Sequence, residues 1–283
     1  MAKGLTPEQW QELFIRDAGL GSFEMSDRDM AVAILDRMDY EQQLVAISGL
    51  LRRNKAADEQ LEIERKEIIT FIRKSDGPTQ HRATDESQEN FYAMVYQGAA
   101  HSMAALGMIA PLYESMFYQA FQGIRTNFFG VNAILPGHRS SITDPDAFWN
   151  CRNYYDRGSA KVKVNVPAGI QQLAKAVDLK RYLPPDLFRV LDALFDYRNH
   201  MFHDGFEWPQ ERCAQFAKRV DEKGWQQWFT NSIRGDDPWI FYMTDEFIKH
   251  CLDMVAILLE AFGKYCKERD RIQTIPIESI PSR

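Results

Sequence analysis

The sequence predicts an all-α protein, a helical bundle with a loop-rich insertion and extra N-terminal helices. Three observations carry that expectation. Apolar residues recur at three- and four-residue spacing along most of the 283 residues. Hydrophobic side chains make up 45% of the chain, enough for a substantial core. Period-two alternation is confined to one short stretch, "AKVKVNV" at 160–166.

The elements follow in order. Residues 6–17 read as a short helix, with Pro7 in the first turn behind Thr6. A longer helix is expected from a Ser26 cap, with Asp29 three residues on, carrying Met30, Ala33, Ile34, Met38, Leu44, Ile47 and Leu51. Residues 55–74 read as a separate, charged amphipathic helix whose alternating signs suit a solvated face. Gly77 and Pro78 break the pattern within 75–88, so a domain boundary is expected there. The resulting division is a helical region over 1–78, a core over 86–270 with an insertion at 125–166, and a flexible tail over 271–283.

In that core an apolar helical stretch runs over 89–124, with Pro111 expected to kink or split it. Its Met and aromatic residues suit packing. The insertion is rich in turn formers and ends in the alternating stretch at 160–166. Helices resume at about 168–177, 185–204, 209–220 and 244–268, the last opened by Thr244 as a cap.

Bulk properties narrow the function classes. The formal charge is −6, so any nucleic-acid contact must rest on a local basic patch. Four separated cysteines, with no CxxC pair, argue against a disulfide framework or zinc ribbon. The opening MAKGLTPEQWQELF has no apolar run of the secretory kind, and no apolar stretch suits a membrane span. A cytoplasmic protein with no membrane contact is expected.

The informative stretch is "DYRNHMFHDGFEWP" at 196–209. An apolar helix of Leu187, Phe188, Val190, Leu191, Leu194, Phe195 and Tyr197 ends in Arg198, Asn199, His200 and His203. Gly205 follows where a left-handed closing residue is wanted, so the helix stops near His203 or Asp204. The carbonyl end of the helix dipole favours a protonated imidazole there. At about 100° per residue, Asn199 and His203 lie roughly 40° apart and Arg198 and His203 roughly 140° apart. A second copy of the helix, related by a two-fold axis, brings guanidinium and imidazole together more easily than one copy does.

Arg198-Asn199-x-x-x-His203 is the only Arg-x4-His in the chain, and it resembles the Arg-polar-x-x-x-His signature of the HEPN superfamily. These are small all-α domains that include RNA-cleaving toxins, phage-defence proteins and RNA-guided effectors. The resemblance covers one helix. It implies a metal-independent endoribonuclease, working without a cofactor as a homodimer with a composite active site, under restraint by an antitoxin or regulatory partner. His203 would act as general acid or base, Arg198 would bind the scissile phosphate, and Asn199 would orient either, with His200 as a possible assistant. The alternative is a catalytically idle helical module of the same kind that binds a protein partner, nucleotide or RNA.

A basic segment supports RNA as the ligand. Arg152, Arg157, Lys161, Lys163, Lys180 and Arg181 lie close in sequence, with Lys175, and Trp149, Tyr154 and Tyr155 stand at the start. Two other chemistries are weaker. His200, His203, Asp204 and Glu207, joined by His101 or Asp196, could be read as metal ligands, but a helix ending at Gly205 would take Glu207 off their face. His138, Ser140, Ser141 and Asp144 share a loop with no nucleophile elbow.

Overall fold

The computed structural model describes residues 26–35, 39–74 and 76–273. The expected 6–17 helix lies outside them, as does the tail beyond 273. The fold is predominantly helical, with two small antiparallel hairpins. The chain divides into two units. One comprises Met1–Asp39, Leu112–Asp192 and Asp253–Arg283; the other comprises Tyr40–Pro111 and Ala193–Leu252. Neither matches the expected division near residue 78.

Helix α1 (Asp27–Met30) opens on the expected cap: Ser26 Oγ accepts from the Asp29 amide at 3.2 Å, and the Asp29 carboxylate accepts from the Ser26 amide at 3.2 Å. The chain then tightens into a 3-10 turn over Ala31–Ala33 and leaves helical geometry at Leu35, so the helix expected from Ser26 to Leu51 is not continuous. Helix α2 (Tyr40–Ile72) instead runs through 33 residues and absorbs the separate 55–74 helix. Its middle is built from Arg, Lys, Ala, Glu and Gln, strong helix formers with nothing to stop them. Gly77 and Pro78 likewise start α3 (Gly77–Ile124) rather than marking a domain boundary. Gly77 takes φ 56°, and proline in a first turn forfeits only an amide that has no helical partner. Pro111 stays inside this 48-residue helix, and the division between the two units falls directly after it.

The insertion belongs to the first unit and is ordered around one side chain. A π-turn (Arg125–Phe129) and a 3-10 turn (His138–Ser141) lead to the short α4 (Pro145–Trp149), capped by the Asp144 carboxylate. Arg139 is buried and donates to the carbonyls of Phe148 at 2.6 Å, Asn150 at 2.7 Å and Ala147 at 3.3 Å, and also to that of Asn153. Burial lowers its pKa to about 10, so it stays charged at neutral pH. The hairpin β1 (Asn153–Asp156) and β2 (Lys161–Val164) follows. The alternation read from the sequence does mark a strand, yet all of β2 is exposed, so it is a solvated ribbon. Helix α5 (Val166–Ala176) begins at Asn165, whose side chain accepts from the Ala168 amide. Gly169 is required here: a β-carbon would lie 2.0 Å from the Cys151 carbonyl oxygen.

Helices α6 (Leu187–Asp204), α7 (Gln210–Lys223) and α8 (Asp245–Gln273) fall where periodicity places them. Thr244 Oγ1 accepts from the Phe247 amide at 3.2 Å, as a cap should. Residues 271–273, expected in the tail, extend α8. A second hairpin, β3 (Phe229–Arg234) and β4 (Asp237–Met243), is an addition to the elements expected from the sequence. All four cysteines are buried, and none forms a disulfide.

Arg139→Met should lower stability by roughly 3–5 kcal/mol, because it strands several buried carbonyls at once. Chemical denaturation against the parent measures this; a loss below about 1 kcal/mol would refute the organising role.

Candidate functional site

The candidate site lies in the second unit, at the end of α6. Ala193, Leu194, Tyr197 and Met201 bury one side of this segment. The Tyr197 hydroxyl donates to the Phe241 carbonyl at 2.8 Å, and its ring packs with Trp208, Phe216 and Phe229 at centroid separations of 5.8, 5.9 and 5.1 Å. Gly205 closes the helix in the left-handed region at φ 76°, its amide donating to the Met201 carbonyl at 3.1 Å. The helix therefore ends where the sequence places its end.

Two ion pairs join α6 to α7. Asp196 pairs with Arg219 and Asp204 with Arg212. His200 sits between those carboxylates on the same helical face. Its ring stacks on Trp208 at 4.7 Å and meets the Phe216 edge at 5.5 Å. Its Nδ1 is 3.9 Å from the Asp204 carboxylate, too long for a hydrogen bond. Both His200 Nδ1 and Asp196 Oδ2 are buried without a hydrogen-bond partner. Burial pushes the imidazole below its ordinary pKa, partly opposed by Asp196. His200, expected as a possible assistant to His203, thus packs its ring between α6 and α7.

The other three residues have a different setting. Asn199 and His203 are exposed, and Arg198 is half-buried. The Arg198 guanidinium lies over the rings of Phe195 and Phe202, at 5.8 and 5.9 Å, and pairs with no carboxylate among the described residues. Phe202 itself is 58% exposed, so one wall of this cradle faces solvent. Arg198, Asn199 and His203 thus share the last turns of one helix with their polar groups uncommitted. The neighbouring acids are already taken by α7. The metal-ligand alternative is not assembled: among the described residues no group of three His, Cys, Asp or Glu side chains is placed to hold an ion. Glu207 instead accepts from the Tyr96 hydroxyl and from Trp239 Nε1.

The basic segment belongs to the first unit, and much of its charge is spent locally. Arg152 pairs with Glu114, Lys163 with Asp156, and Arg181 with Asp178 and Glu268. Lys180 lies over the Phe188 ring at 5.9 Å. Lys180, and Arg157 and Lys161 exposed around the hairpin turn, pair with no carboxylate among the described residues. A count along the segment could not include Glu114 and Glu268, which come from distant helices.

No protein-family model matches this chain, nor does any curated protein or solved structure. No helix among the described residues is long and apolar enough to cross a membrane.

The burial of His200 gives a pH prediction. Its folded pKa lies below the unfolded value of about 6.5, so the unfolded chain binds more protons in that window. Stability is full above about pH 6.5 and falls as pH drops toward the folded value. His200→Phe, which keeps a ring against Trp208, should make the melting temperature less pH-dependent between about pH 7 and pH 5. An unchanged slope would remove His200 as its source.

Proposed function

We propose that this chain is a metal-independent endoribonuclease whose active site is built from Arg198, Asn199 and His203 of two copies of the α6 end. The observation that carries this reading is the uncommitted guanidinium: Arg198 is held by two aromatic rings while the adjacent Asp196 and Asp204 are neutralised by Arg219 and Arg212. An arginine left without an acidic partner beside an exposed imidazole is suited to a phosphate diester.

The chemistry needs no group beyond these and the substrate. His203 removes the proton from the 2′-hydroxyl; that oxygen forms a bond to the adjacent phosphorus as the bond from phosphorus to the 5′ oxygen breaks. The leaving oxygen takes a proton from the second copy's imidazole or from solvent, leaving a cyclic phosphate and a 5′-hydroxyl end. Arg198 stabilises the charge that develops on the non-bridging oxygens, and Asn199, about 40° from His203 around the helix, orients the imidazole or the phosphate. The need for a 2′-hydroxyl selects RNA over DNA. A toxin or defence role, with a partner that restrains cleavage, follows from the same reading.

Incubation of the purified chain with RNA in the presence of a chelator tests it. Cleavage should persist and leave cyclic phosphate ends, and Arg198→Ala and His203→Ala should each slow it by at least about 100-fold with helical content unchanged. Substituted proteins that cut as fast as the parent would end this assignment. Chelator-sensitive cutting would mean metal chemistry, and no cutting under any condition would leave a binding module.

A further inference from the structure

The second unit carries a group of exposed aromatic rings that packing does not account for. Phe91, Tyr92 and Tyr96 on α3 are 37%, 41% and 37% exposed. Trp239 of β4 stands among them, 6.1 Å from Tyr92 and 6.0 Å from Tyr96, edge-on to both at 86° and 85°. Glu207 fixes two of these rings from one side, taking hydrogen bonds from the Tyr96 hydroxyl and from Trp239 Nε1 at 3.0 Å. Those bonds, the tyrosine's first, hold its carboxyl below the ordinary range. The carboxylate thus grips the polar edges of the rings. Trp239, itself partly buried, packs on a small buried cluster of Val95, Ala99 and Ile240, which fixes the ring the two tyrosines meet edge-on.

Two guanidiniums flank the rings. Arg234 lies over Trp239 at 5.4 Å and Arg65 over Phe91 at 5.5 Å, and neither pairs with a carboxylate among the described residues. Arg65 Nε is buried with no hydrogen-bond partner. Planar cations and aromatic faces in alternation match the alternating phosphates and bases of an unpaired strand. Glu207 is also four residues beyond His203, so the anchor of the platform lies within roughly 14 Å of that residue by chain length alone.

We infer that Tyr92, Tyr96 and Trp239, with Phe91 and the flanking Arg65 and Arg234, form a stacking platform for single-stranded RNA. This rests on the endoribonuclease reading for its substrate and adds what that reading lacks, a reason for unpaired RNA to be held. Asp236 in the β3–β4 turn and Asp237, the register partner of Arg234 at the start of β4, join Glu207 to set three carboxylates against the two guanidiniums, so stacking rather than net charge carries the affinity. With two guanidiniums engaged, the slope of log affinity against log salt should be about −1.4 or shallower.

The test is fluorescence anisotropy of the full chain with a labelled 2′-O-methyl RNA of about twelve nucleotides, which cannot be cleaved by 2′-hydroxyl attack. Tyr92→Ala and Trp239→Ala should each weaken binding by roughly 5- to 100-fold. Trp239→Phe, which keeps a ring, should retain most of the affinity and guards against misfolding. Single-stranded DNA of the same sequence should bind within about tenfold, because stacking does not read the sugar, and duplex RNA should bind more weakly. Equal binding by parent and alanine variants, equal binding of duplex, or no RNA binding at all overturns the platform. A change in oligomeric mass with RNA binding untouched overturns it in favour of an interface between copies. Parallel cleavage of unmodified RNA separates the two ideas: a parent that binds through these rings but never cuts leaves the platform standing and removes the nuclease. A parent that cuts, with alanine variants that bind as tightly, does the reverse.

Discussion

The arrangement of the second unit depends on Phe216. Its ring touches Tyr197, Trp208, Phe229 and Phe241 at 5.9, 5.2, 5.1 and 5.0 Å, and so joins α6, the loop after it, α7 and both strands of the hairpin. Each such pair contributes about 0.5–1.5 kcal/mol beyond the area it buries. The larger consequence is orientational. Once Tyr197 points into this cluster, helical geometry decides where every other residue of α6 must face.

That orientation sorts the charges. Asp196, His200 and Asp204 recur at four-residue intervals and therefore line one strip, which meets Arg219 and Arg212 of α7. Arg198, Asn199 and His203 fall off that strip. The acids that would otherwise quench Arg198 are engaged elsewhere, so a residue cluster that looks uniform in sequence divides into a neutralised, packed half and a solvent-facing half. His200 and His203, three residues apart, end in opposite circumstances for this reason alone.

In the first unit the same residue type serves structure. Arg139 organises the insertion beside buried Ile142, Phe148, Trp149 and Cys151, gathering carbonyls from residues 147–153, and Arg125 donates to the Val131 carbonyl while pairing with Asp146. A planar donor with several hydrogens can close irregular backbone where no ladder is available. The basic character of 152–181 is likewise largely consumed in local pairs. Positive charge counted along this chain is therefore a poor guide to which cations lack an acidic partner.

Features written within a turn or two of chain are legible before any fold is known. The Ser26 and Thr244 caps, the Gly205 stop, the strand at 160–166 and the period of α5 to α8 are local, so neighbouring residues suffice to specify them. Helical spacing likewise puts Asn199 and His203 within about 40° of each other on α6, while it leaves Arg198 about 140° from His203. Long-range packing settles the rest. The β3–β4 hairpin, signalled only by the turn at Gly235 and an aromatic run, needs Phe216 and Tyr197 to pack against. The ribbon of rings around Trp239 is hidden with it. Some cations are neutralised by acids far along the chain, 23 residues away for Arg219 and Asp196 and 87 for Arg181 and Glu268. Local propensity is short-ranged, whereas neutralisation and burial are fixed only when distant segments meet.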